Sequence, residues 1–295
     1  MKTMLHAYRR FAVCAALVLC SAAALRPAEN PKDLPLSAPR ELGRARLLYE
    51  RADGVYLCEP GARHAERIAQ GGSRPHWSPD GTSVVFIRGT EVTVRNLADR
   101  TERVVARGKT PRVALFHPSG KEIWFLDGHA VRAVHQAGGA SREILSGADF
   151  RELDIAPDGS FVAVTVKRRI GYQVERHDPA TGHTIRIGRG CSASVSPDGR
   201  FITVNAGNHR QLSLRDSRTG REARTLPAPP GMSFDNQRWS NHPDWIVSIR
   251  EGERRHVLLH RVGDGRSWRI TAHDDCDRPA LFVERSTEAG IRPAE

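Results

Sequence analysis

The chain has 295 residues, 39% of them hydrophobic and 27% charged, with a formal net charge of +11. That length and apolar content suffice for one large domain or two ordinary ones. They exclude a disordered or collagen-like chain, and five cysteines are too few for a small disulfide-stapled scaffold. Only five of the 45 basic residues are lysines, and net charge speaks to solubility and non-specific association rather than to fold.

The first 24 residues read as a secretory signal peptide. Lys2, Arg9 and Arg10 precede an apolar run from Phe11 to Leu25, and Ala22-Ala23-Ala24 supplies small residues for cleavage. The run is shorter than the roughly 20 apolar residues of a spanning helix, and no later segment competes, so no membrane span is expected in the mature chain. Cys20 follows Leu17-Val18-Leu19. Lipoprotein signals place a small residue before the cysteine, so a periplasmic or secreted product is expected rather than one anchored through Cys20. Residues 25–44 read as a linker, because Pro27, Pro31, Pro35 and Pro39 favour an extended tether.

From residue 45 the chain repeats. Trp77-Ser78-Pro79-Asp80-Gly81 recurs as Phe116-His117-Pro118-Ser119-Gly120, Ile155-Ala156-Pro157-Asp158-Gly159 and Val195-Ser196-Pro197-Asp198-Gly199, with prolines 39, 39 and 40 residues apart. A degenerate copy, Asn241-His242-Pro243-Asp244-Trp245, follows 46 residues later. In each copy a strand ends at a proline, which cannot donate to a sheet ladder, and Asp-Gly makes a tight turn into the next strand. Second strands are expected at Ser83–Ile87, Glu122–Leu126, Phe161–Val166, Phe201–Asn205 and Trp245–Ile249, with two further strands in each unit. Four strands per repeat of about 40 residues is the signature of a propeller blade. Residues 45–70 supply three strands without a first. Arg278-Pro279-Ala280-Leu281-Phe282-Val283 resembles the first strands Arg74–Trp77 and Arg112–Phe116. The expectation is an all-β, six-bladed β-propeller over 45–285, closed when the C-terminal strand completes the N-terminal blade. A tail of 286–295 follows.

Ser-Pro-Asp-Gly after an aromatic residue at this spacing resembles the WD40-like (PD40) propeller repeats of the TolB family. The resemblance covers 45–285 and does not include the α/β domain that precedes the propeller in that family. It implies an exported propeller that scaffolds envelope assemblies through protein–protein contacts; with the residues discussed below, the expectation is a non-catalytic, monomeric scaffold whose partner is an envelope protein or an anionic envelope polymer. Similar repeats occur in propellers attached to prolyl-oligopeptidase-type peptidases.

No Gly-x-Ser-x-Gly elbow, His-Glu-x-x-His helix, Walker loop or dinucleotide fingerprint is present, so no catalytic residue, cofactor or metal site is assigned. Asp80, Asp158 and Asp198 are read as turn formers. Loops between second and third strands share a rim with the connectors between blades. That rim carries Lys167-Arg168-Arg169, Arg189, His209-Arg210 and Arg254-Arg255, a basic arc suited to an anionic partner or simply to solvent. The connector 226–234 is stiffened by Pro227, Pro229 and Pro230. It offers Met232 and Phe234 as exposed anchors, or Phe234 as a cap on the following blade. Nucleic acid is not an expected partner, given the export signal and the lack of stacking aromatics.

First-strand residues in register with the motif face the channel: Arg74, His76, Glu152, Asp154, Ser192, Ser194, Asn236 and Arg238. They suit a small polar ligand or ion, or water and internal ion pairs. An alternative function of another class, glycan binding or polysaccharide cleavage, would use His76, Asp154 and Arg238 at the channel mouth. His273-Asp274-Asp275-Cys276-Asp277 is dense in ligand types, but zinc sites space their ligands, so it reads as a connector. No disulfide is expected between Cys191 and Cys276, and Cys58 reads as a buried thiol.

Overall fold

The computed structural model describes residues 34–284; the expected signal peptide with Cys20, the first part of the linker and the C-terminal tail lie outside the described residues. Among the described residues, 24 strands form six four-stranded antiparallel sheets. The sheets stand in a ring as the blades of a propeller. The inner strands of blades one to five are Ser73–Trp77, Pro111–Phe116, Phe150–Ile155, Cys191–Val195 and Phe234–Trp239. Blade six takes its inner strand, Asp277–Val283, from the C-terminal end and its other three from Ala45–Arg51, Gly54–Cys58 and Glu66–Gln70. Leu281 pairs with Leu47 across the closure, as the sequence predicts. The ring leaves only short outer edges, which limits pairing with copies of itself.

The repeated motif does what its chemistry dictates. The Asp80 carboxylate accepts from Ser78 Oγ at 2.6 Å and from Thr82 N at 3.0 Å, while Gly81 adopts φ 70°. Those bonds hold the Asp80 carboxyl below its usual range. Asp198 is used in the same way by Ser196 and Arg200 N. The acids in register are therefore turn formers.

The core is a set of wedges between blades. Val85, Ile87, Phe116 and Phe125 fill the wedge between blades one and two, and Tyr49, Trp245, Leu259 and Leu281 that between five and six. Because neighbouring blades cover both faces, second strands such as Glu122–Asp127 are buried at four successive positions instead of alternating. Outer strands such as Glu102–Arg107 are mostly exposed.

One expectation is corrected. Residues 36–42 do not stand off as a tether. Leu36 bridges Arg269 on the short outer strand of blade five, Ser37 N donates to Arg269 O at 2.9 Å, and Leu42 is buried. Prolines prevent a long helix here but permit this extended cover over an edge. No helix among the described residues is long and apolar enough to cross a membrane.

Candidate functional site: the central channel

The inner strands line the channel, and every one of them meets a register shift near its start. The shifts fall between Ser73 and His76, Pro111 and Val113, Phe150 and Glu152, Cys191 and Ser194, and Asp235 and Arg238, with the closing pair shifted between Leu48 and Glu50. In four blades the bulged residue is left-handed without being glycine: Arg74 (φ 52°), Ser192 (57°), Asn236 (52°) and Arg278 (47°). Such residues are strained, and strain of this kind gathers where a fold re-aims its groups. Here it turns backbone N–H groups toward acids. Arg74 N donates to Glu50 of blade six at 2.5 Å, and Ser192 N donates to Glu152 of blade three.

The channel has three levels. On the connector side a mouth of about 430 Å³ is lined by Arg74, Arg112, Arg151, Glu152, Tyr172, Cys191, His209, Asp235, Asn236 and Arg278. Below it a waist of about 30 Å³ lies among His76, Glu152, Ser192, Gln237, Arg238 and Arg278, room for water and little more. On the turn side a mouth of about 340 Å³ is walled by Trp77, Phe116, Ile155, Trp239 and Phe282 and by the motif prolines Pro79, Pro118, Pro157 and Pro197.

Charge along the channel is interlocked. Glu152 accepts from Thr165 Oγ1 at 2.6 Å and from Arg278 Nη1 at 3.3 Å. Asp154 accepts from Ser194 Oγ (2.8 Å), Val195 N (2.9 Å) and Arg238 Nη1 (3.4 Å). Burial drives the Arg74 pKa down and the nearby Arg278 adds to this, against the pull of Glu50 and Glu152. Burial also works against the Arg278 charge, but Glu152, Asp277, Glu50 and Asp235 outweigh it and raise its pKa. His76 is buried beside Arg238, Arg278 and Arg74. Burial first, and those cations second, hold its pKa well below the ordinary value. It is a neutral imidazole at neutral pH and has no proton to give as a general acid.

The structure therefore places the predicted channel residues Arg74, His76, Glu152, Ser192, Asn236 and Arg238 around one axis, with Asp154 and Ser194 toward the turn side. Of the trio proposed for glycan chemistry, Asp154 and Arg238 meet, whereas Asp154 is already committed to Ser194 and a backbone N–H. Sequence reasoning missed Arg112, Arg151, His209, Asp235, Gln237 and Arg278 as channel residues. Strict alternation places Asp235 off the channel; the bulge brings it in.

The rim residues also assemble. Phe234 N donates to His209 O, Glu251 N to Ser233 O and Arg255 N to Asp274 O, so the hairpin tips and connectors of blades four to six share one surface. Lys167, Arg169, Arg189 and Arg210 are exposed there. Arg168 pairs with Glu175, Arg254 lies 3.9 Å from Asp274, and Arg255 bonds Asp277 at 2.9 Å, so part of the arc is already neutralised. Met232 and Phe234 are 6% and 0% exposed. They are not surface anchors; Phe234 packs in the wedge between blades four and five with Leu212 and Trp239. The exposed apolar side chains on this rim are Ile170, at 74%, and Tyr172, at 41%. No sequence signal separates their hairpin from the others except the Ile-Gly-Tyr that follows three basic residues.

The acids of 273–277 point to different partners. Asp275 bonds Arg51 at 2.7 Å, Asp274 lies near Arg254 and Arg269, and Asp277 accepts from Asn236 at 2.6 Å. A connector tied to blades five and six accounts for them. The three cysteines among the described residues are free thiols. Burial pushes Cys58, Cys191 and Cys276 each up to about 12.

No protein-family model and no curated protein sequence matches this chain. Solved structures do. TolB from Acinetobacter baumannii superposes with a TM-score of 0.68 at 19% identity, over 81% of this chain and 66% of that one. The chain folds as a TolB-like six-bladed propeller. A protein described as TolB from Agrobacterium tumefaciens gives 0.63 at 17% identity, over 77% of this chain and 88% of that one. A chain of a nidogen–laminin complex gives 0.67 at 9% identity, over 80% and 98%. At these identities the likeness is one of fold, and function rests on the surface just described.

Proposed function

We propose that this TolB-like propeller is an exported, non-catalytic scaffold of the cell envelope that binds a protein through its connector rim. One observation carries the reading: the hairpin tip Lys167–Tyr172 sets Ile170, 74% exposed, among three basic residues and beside the channel mouth that Tyr172 lines. An exposed apolar tip ringed by cations, on a rigid sheet, suits an acidic protein surface with a small apolar recess. Propellers whose solved structures carry the names TolB and nidogen–laminin support the same class of role by fold alone. The signal-peptide pattern of the first 24 residues supports an encounter outside the cytoplasm.

The test is a photo-reactive amino acid at position 170 in the chain expressed in its own cells, with one at the outer-strand position Val104 as the control. A discrete protein cross-linked from 170 and not from 104, and lost when Lys167, Arg168 and Arg169 become alanine, is the expected result. Equal capture from both positions, or capture indifferent to the three basic residues, overturns the assignment.

A further inference from the structure

Beside the arginines of the connector mouth lies a cluster of another chemistry. Cys191, at the start of the inner strand of blade four, His209, at the tip of that blade's second hairpin, and Asp235, at the start of the inner strand of blade five, converge on one point. The Cys191 Sγ lies 3.7 Å from His209 Nε2 and 3.9 Å from Asp235 Oδ1, and the three donor atoms all fall within 4.8 Å of one another. We propose that Cys191, His209 and Asp235 form a zinc(II) site whose fourth position opens into the channel.

The spacing fits the metal. Bonds of about 2.3 Å to sulfur and about 2.0–2.1 Å to nitrogen at a tetrahedral angle put those donors roughly 3.6 Å apart. The two separations from the sulfur match those edges to within a few tenths of an ångström, and the imidazole and carboxylate atoms lie within 4.8 Å of each other. Thiolate, imidazole and carboxylate together favour zinc over calcium or magnesium, which take oxygen alone.

The surroundings prepare the donors. His209 Nδ1 contacts the Glu251 carboxylate, and donation there leaves the Nε2 lone pair facing the sulfur, the outer partner that histidine ligands of zinc ordinarily have. Asn208 and His209 are both left-handed, at φ 52° and 64°, so the tip is bent to bring the ring over the mouth. Asp235 is held by Ser192 Oγ at 3.0 Å and Asn205 Nδ2 at 3.3 Å. All three donors also line the open mouth with Arg74 and Arg278. A metal with three protein ligands keeps a position for water or an outside ligand, and the two arginines select an anionic one, a carboxylate or phosphate group.

The site borders the rim assigned to a protein partner and shares the mouth that Tyr172 lines, but its test leaves Lys167, Arg168, Arg169 and Ile170 unchanged. Cobalt(II) is added to the purified, reduced chain and the thiolate-to-metal charge-transfer band and the tetrahedral d–d bands are recorded; zinc is then titrated against a chromogenic chelator. One equivalent of cobalt, both sets of bands, and displacement by one equivalent of zinc are expected. Cys191→Ser should abolish the charge-transfer band, whereas the double variant Cys58→Ala/Cys276→Ala retains it. Asp235→Asn should weaken zinc binding with the charge-transfer band still present at saturation. Glu251→Gln, which removes only the outer partner of His209, should weaken it by roughly 10–100-fold. Inorganic phosphate should perturb the d–d bands and lose that effect in Arg74→Gln. Absence of the bands, a charge-transfer band that survives Cys191→Ser or vanishes in the double variant, or six-coordinate spectra would overturn the proposal. Thermal melts of every variant in the metal-free state separate loss of metal from loss of fold.

Discussion

The two mouths of the channel are built from the same strands and have little else in common. At the turn side, proline and aromatic residues recur blade after blade, the turn acids are consumed within their own turns, and the Asp154–Arg238 pair is the charge that reaches the wall. At the connector side the inner strands bulge, four non-glycine residues are left-handed, and arginines face acids across blade boundaries. The repeat specifies the first mouth, and the departures from the repeat build the second. Stability and chemistry are thereby segregated to opposite ends of one channel, as expected when a regular scaffold carries a site in its loops.

The largest effect expected from that division comes at the turn side. Trp239, 6% exposed, closes the wedge between blades four and five and walls the turn-side mouth. Trp239→Ala should destabilise the chain by about 3–5 kcal/mol, read as a fall in the denaturant midpoint at unchanged slope. Cobalt binding at the connector mouth should survive in the fraction that stays folded. A loss of less than about 1 kcal/mol would show that the wedge collapses around the gap and that the turn side is not the stability-bearing end.

Acid should act next, through histidines buried as neutral rings. Burial brings His260 down to about 3, and burial with three neighbouring arginines holds His76 well below its ordinary range. Both folded-state values lie below the unfolded value of about 6.5, so the unfolded chain binds the extra protons. Their contribution is present above about pH 6.5 and is lost as pH falls, by about 1.4 kcal/mol per pH unit for each ring. Urea midpoints measured from about pH 7 to 5 should decline accordingly. His76→Gln and His260→Gln should each flatten the decline, and a slope unchanged in both would mean that the rings are already charged in the folded state.

The contrast between the mouths also explains what was readable in the sequence. The blades, their number and the closing strand follow from Pro-Asp-Gly spacing, because proline and glycine act on backbone in ways that sequence exposes directly. Predicted strands such as Ser83–Ile87 and Trp245–Ile249 fall one residue short of the observed Ser83–Arg88 and Trp245–Arg250. The channel was half legible. His76, Asp154 and Arg238 lie beyond the bulges and keep register with the motif. Asp235 and the meeting of Cys191 with His209 depend on left-handed residues that are serine, asparagine, histidine and arginine. Serine and arginine do not announce a positive φ, and asparagine and histidine are enriched there without requiring it. Met232 and Phe234 were open between surface and core for a related reason: whether a proline-stiffened connector turns its apolar side in or out is decided by the blade it meets.

The smallest effect is the sharpest test of the division. Arg74 is held at φ 52° with its guanidinium near the channel axis, where burial and Arg278 both work against its charge. A residue there for stability would be worth keeping; a residue there for ligand recognition is kept at a cost. Arg74→Gly removes the strain of the left-handed conformation, worth about 1–3 kcal/mol, and relieves the burial of a cation while leaving the backbone donation to Glu50 in place; the freedom that glycine adds to the unfolded chain takes back roughly 0.5–1 kcal/mol. Against this stands the attraction that Glu50 and Glu152 exert on the lost charge. Burial is the largest influence, and the Arg74 pKa is lowered on balance. The variant should therefore be at least as stable as the parent in equilibrium unfolding, and should bind phosphate at the connector mouth less well. A variant that loses stability would make Arg74 part of the frame, and the two mouths would then differ in composition without differing in purpose.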